Sequence, residues 1–148
     1  MSDAVAVYVA EVVSAFAFLA DDAGFIGPER NRHGIRWHHG TLRVEVAIPG
    51  FREPMVSTHL TMTARDGEAQ RGICGCWLPE IYSAIGDGPA RELPVDASTL
   101  DAALENVRKH AEVLRRALPL LLARDGELTP LGEKLAGRRW RDPPQAMR

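Results

Sequence analysis

Apolar residues recur at three- and four-residue steps near the start of the chain, at Val5, Val9, Val12, Val13, Phe16 and Leu19. That spacing lines one face of a helix and predicts a helical element over 3–22. Asp3 or Ser2 suits its N-cap, and Gly24 can close it in a left-handed turn. Valine is a poor helix former, so packing has to hold this segment, which places it in the core. The stretch 25–34, crowded with Gly, Pro and Asn, reads as a loop. The period then drops to two. Ile35 and Trp37, then Leu42, Val44, Val46 and Ile48, alternate with Arg36 and His38, then Arg43 and Glu45. Two strands flanking His39-Gly40 fit a hairpin with a two-residue turn. With the turn at 39–40, His38 stands opposite Thr41, Trp37 opposite Leu42, Arg36 opposite Arg43 and Ile35 opposite Val44.

Alternation continues through Val56, Thr58, Leu60 and Met62, predicting a third strand over 55–64. A fourth, about 70–76, carries Ile73, Cys74 and Cys76. Pro79 in a first-turn position starts a short helix that Gly86 closes. Leu100, Leu104, Val107, Ala111, Leu114, Leu118 and Leu121 mark one long helix from Ser98 to Arg124, which Pro119 should kink or end. A last short helix runs from Thr129 to Gly137, and 138–148 reads as a loose tail. The expected fold is therefore two-layer α+β. A four-stranded antiparallel meander is covered on one face by the N- and C-terminal helices, in a single domain over 1–137. Trp37, Leu42, Val44, Val46 and Leu60 should be buried beneath those helices. The other face, with Arg36, His38, Arg43, Glu45, Ser57, His59, Thr61 and Thr63, is left toward solvent.

Composition narrows the function classes. Of 148 residues, 45% are hydrophobic and 26% charged, an ordinary globular balance. A formal charge of −2 gives no bulk attraction to nucleic acid or anionic lipid. Two cysteines are too few for a disulfide scaffold. Glu11, Asp21 and Asp22 interrupt the N-terminal apolar stretch, and no Lys or Arg precedes Arg30. That stretch therefore matches neither a spanning helix nor a secretory signal. The expected compartment is the cytoplasm, with no membrane and no nucleic acid as partner.

Chemistry-bearing residues are sparse. His38, His39, His59, Cys74 and Cys76 are the one set with metal-ligand character, since a Cys-x-Cys pair on a strand puts both sulfurs on one face, and His38 and His59 could complete a ligand set with them. Buried core cysteines explain the pair better than a metal, and no cofactor is expected. Ser57, His59 and Glu45 could neighbour one another, but a flat solvated sheet is a poor place to activate a hydroxyl. Trp37, Trp77 and Tyr82 could ring a pocket between sheet and helices, the basis of an alternative small-molecule-binding or enzymatic reading. The basic and aromatic run Lys134–Arg141, with Trp140, sits among Asp125, Glu127, Glu133 and Asp142, and is read as tail rather than nucleic-acid site.

The order of elements resembles small bacterial α+β proteins of the toxin-immunity and secretion-chaperone kind, in which a sheet face or edge meets a protein partner. That resemblance implies a non-enzymatic interaction domain, with Arg36, His38, Arg43, Glu45 and His59 as partner-binding residues. A homo-oligomer is compatible with it. Arg36 opposite Arg43 would cost stability unless a carboxylate or an acidic partner compensates.

Overall fold

The computed structural model describes residues 3–40, 42–48, 56–62, 74–123 and 127–136. The chain runs α1 (Asp3–Ala15), α2 (Phe18–Asp21), β1 (Ile26–Arg30), β2 (Gly34–His39), β3 (Leu42–Ala47), β4 (Thr58–Met62) and β5 (Cys74–Trp77). It continues through α3 (Leu78–Ala84), a 3₁₀ turn (Ala90–Glu92), α4 (Leu100–Leu121) and α5 (Pro130–Ala136). The fold is α+β, with one open antiparallel sheet in the order β1-β2-β3-β4-β5. The expected tail, with Trp140, lies outside the described residues, as do Thr63 and the sequence between β4 and β5.

The alternation read from the sequence becomes a buried face. Trp37, Val44 and Val46 are fully buried, and Leu42 and Leu60 are 2% exposed, in one core with Val12, Phe16, Leu19, Val107 and Leu114. The Trp37 ring stacks on Phe16 with centroids 5.7 Å apart. Burying side chains of this size contributes about 1.5–3 kcal/mol each relative to exposure. Thr99 caps α4 through the Ala102 N–H at 3.1 Å. Pro119 falls in the last turn, where it withholds one N–H from the helix ladder only two residues before the end, and α4 stops at Leu121 rather than at Arg124.

Four expectations are corrected. The sheet has five strands rather than four, because the loop expected over 25–34 contains β1. An edge strand tolerates Pro28, and β1 is exposed along nearly its whole length, so no alternation marks it. The first helix is broken into α1 and α2 around Phe16 and Ala17. The hairpin register is shifted by two: His39 pairs with Leu42, His38 with Arg43, Trp37 with Val44 and Arg36 with Glu45. His39 extends β2, where its ring meets Phe25 with centroids 5.2 Å apart, and the turn begins at Gly40 with φ +59°. A shift of two preserves every face, because side chains alternate with period two. The open face is also drier than expected, since Ser57 and Thr61 are 7% and 3% exposed.

Candidate functional site

Antiparallel pairing writes the open face as rows across the strands. In one row Glu29 stands beside Arg36, Arg36 beside Glu45, Glu45 beside His59, and His59 beside Trp77. In the next, Ile26 faces His38, His38 faces Arg43, Arg43 faces Thr61, and Thr61 faces Gly75. The expected partner-binding residues Arg36, His38, Arg43, Glu45 and His59 are thus adjacent on a single surface. Gly75 has a steric cause: a β-carbon there would collide with the Leu60 carbonyl.

Arg36 does not oppose Arg43. It stands between two carboxylates, Glu45 across β3 and Glu29 across β1, with Nε 3.9 Å from Glu29 Oε2. The expected like-charge cost is replaced by alternating sign. Glu29 Oε2 also lies 3.4 Å from His38 Nε2. Arg43 Nε donates to Thr61 Oγ1 at 3.1 Å. Glu45 Oε1 lies 3.4 Å from His59 Nε2. That hydrogen bond, with the charges of His59, Arg43 and Arg36, holds the Glu45 carboxyl below its ordinary range against the opposing effect of burial. The His59 ring meets Trp77 edge-on, centroids 5.1 Å apart.

Accessibility grades across this row. Side-chain exposure falls from 55% at Glu29 and 30% at Arg36 to 17% at Glu45 and 12% at His59. The reachable part is the β1–β3 half, and it holds a residue the sequence reading did not select. Ile26 is 73% exposed beside His38. Its signal was an isoleucine next to Gly-Pro in a segment without period.

The alternative constellations come apart. Cys76 is buried on the core face opposite Leu60, whereas His38 and His59 lie on the open face, so the sulfur and the imidazoles do not converge. The Cys74 side chain lies outside the described residues. Trp37 is in the core and Trp77 on the opposite face, while Tyr82 donates to Glu92 at 3.4 Å, so the three rings do not enclose one pocket. Ser57 is buried with Oγ lacking a hydrogen-bond partner, and Glu45 engages His59 without it.

His110, also unselected, is fully buried on α4. Its Nε2 donates to the Pro94 carbonyl at 2.8 Å, so Nδ1 accepts from Thr58 Oγ1 at 3.0 Å. Burial pushes its pKa down to about 4. The pairing ties α4 to β4 and to the segment before α4, which makes it a structural residue. Beyond the molecule itself, no known protein family, curated protein or solved structure matches this chain.

Proposed function

We propose that this chain is a non-enzymatic interaction domain, of an immunity or chaperone-like kind, that engages a protein partner through the open sheet face. The observation that carries the reading is the convergence of Arg36, His38, Arg43, Glu45 and His59 on one surface, with exposed Ile26 beside His38 at its accessible edge. An exposed apolar side chain flanking a charged row offers an apolar contact beside polar ones, a combination that protein interfaces use. Exposed ion pairs such as Arg36–Glu29 contribute about 0–1 kcal/mol to folding, so folding alone gives little reason to assemble the row. The cytoplasmic expectation goes with this reading, because the apolar N-terminal stretch gives Val12, Phe16 and Leu19 to the core.

Replacing Arg36 and Arg43 together by Ala tests it. The double variant should melt within roughly 4 °C of the wild type, as expected for losing weak surface pairs in a domain of this size. It should also recover at least about fivefold less of the protein that co-purifies from the native host, a loss of about 1 kcal/mol. Equal recovery by a folded double variant would move the partner site off this face.

A further inference from the structure

Both arginines of the open face have their Nε edge closed and their outer end open. Arg36 Nε is buried without a hydrogen-bond partner, and it is through that atom that the side chain meets Glu29, at 3.9 Å, beyond hydrogen-bond length. Arg43 Nε donates to Thr61 Oγ1 at 3.1 Å, and Thr61 is itself 3% exposed, so this guanidinium is anchored from beneath. Among the described residues, no further hydrogen bond or ion pair engages either side chain. The terminal amino groups of both, unlike Arg36 Nε, are not buried. A guanidinium holds a carboxylate through two parallel N–H···O bonds. With the Nε edges closed, both forks offer that geometry end-on.

Strand register fixes the spacing of the two forks. Arg36 pairs with Glu45, and Arg43 lies two residues before Glu45 on the same face of β3. Diagonal neighbours of this kind stand about 7–8 Å apart. In an extended segment, side chains two residues apart point the same way and are about 6.6 Å apart. We propose that the two forks dock an extended acidic segment of the partner, with one carboxylate of an i, i+2 pair on Arg36 and the other on Arg43. The proposal rests on the interaction reading above and adds to it the sign, conformation and residue spacing of the partner segment. The carboxylates already beside the forks, among the described residues, do not fill them. Glu45 turns Oε1 to His59 and is 17% exposed. Glu29, 55% exposed, divides Oε2 between His38 and the closed edge of Arg36. It is the group an incoming carboxylate has to pass, so removing its charge should help binding.

A fluorescent peptide containing Glu-Thr-Glu between glycines serves as the probe, titrated by anisotropy against the full chain in about 50 mM salt, where surface charge is weakly screened. Arg36→Ala with Arg43→Ala should weaken binding about tenfold, the effect of losing two exposed ion pairs. Arg36→Lys with Arg43→Lys keeps both charges and removes both forks, and should still cost about threefold. Glu29→Gln should tighten binding by about twofold. The proposal is overturned if the wild type does not bind the peptide, if the Gln-Thr-Gln counterpart binds as well, or if the folded double Ala variant binds equally. Full affinity in the double Lys variant would overturn it too, since charge without a fork would then suffice. Displacement of the peptide by an equal concentration of inorganic phosphate would assign the forks to a phosphoryl group instead. If the double Ala variant loses the native partner while the wild type ignores the peptide, docking through this face stands and the acidic i, i+2 segment is refuted.

Discussion

His110 shows how a single side chain can be decisive for the fold and silent in a sequence scan. It lies three residues after Val107 and four before Leu114, so helical geometry places it on the buried side of α4. Asn106, four residues earlier, is buried too, and its Nδ2 donates to the Asp96 carbonyl at 3.1 Å. A search for apolar periodicity passes over both, although position on the stripe was the available signal. Both ring nitrogens of His110 are engaged, which fixes the neutral form in the fold. With a folded pKa of about 4 against an ordinary value near 6.5, the unfolded chain takes up the proton first. The contribution of neutral His110 is therefore complete above about pH 6.5. It is lost as pH falls toward 4, by roughly 3 kcal/mol in all. The stability difference between wild type and His110→Asn, from urea unfolding, should narrow by that order between pH 7 and pH 4. A difference that stays constant would show that the ring is not held neutral.

The β2–β3 hairpin was the most legible element, and its failure in register is instructive. Trp37 and Val44 alternate with charged neighbours so cleanly that the buried face followed from period two alone. The pairing partner did not, because registers two residues apart bury the same side chains. What separates them is turn geometry and the fit of His39 against Phe25, which alternation does not encode. β1 was illegible for another reason: an exposed edge strand with Gly27 and Pro28 buries too little to imprint a pattern. The edge also carries Glu29 and Arg30 beside that proline, the composition that discourages strand addition. Val44 lies at the centre of the sheet and is fully buried, so Val44→Asp would place a charge in the core without a partner. Its cost, on the order of 3–5 kcal/mol, should abolish the cooperative thermal transition at 25 °C and above. A Val44→Asp protein that melts like the wild type would refute the assignment of this face to the core.

Across the whole molecule, the helices and the sheet divide the work. α1, α2 and α4 cover the apolar face, with α1 and α4 also joined through Glu11 and Arg108. The opposite face carries the alternating row from Glu29 to His59, whose β1 and β2 members, Glu29 and Arg36, are accessible and add little to stability. The helical layer has exposed apolar groups of its own, Val7 at 45% and Leu120 at 49%, and they provide the natural comparison. Legibility ended at this scale: binary pattern identified the polar face and its residues, but neither their salt links nor the prominence of Ile26 follows from pattern. The account's central claim is geographical, that the partner meets the open face. Site-specific photo-crosslinking in the native host tests it most directly, with the reactive residue placed in turn at Ile26, His38, Val7 and Leu120. The account predicts a discrete adduct of the same size from Ile26 and His38 and none from Val7 or Leu120. Adducts confined to the helical positions would contradict it.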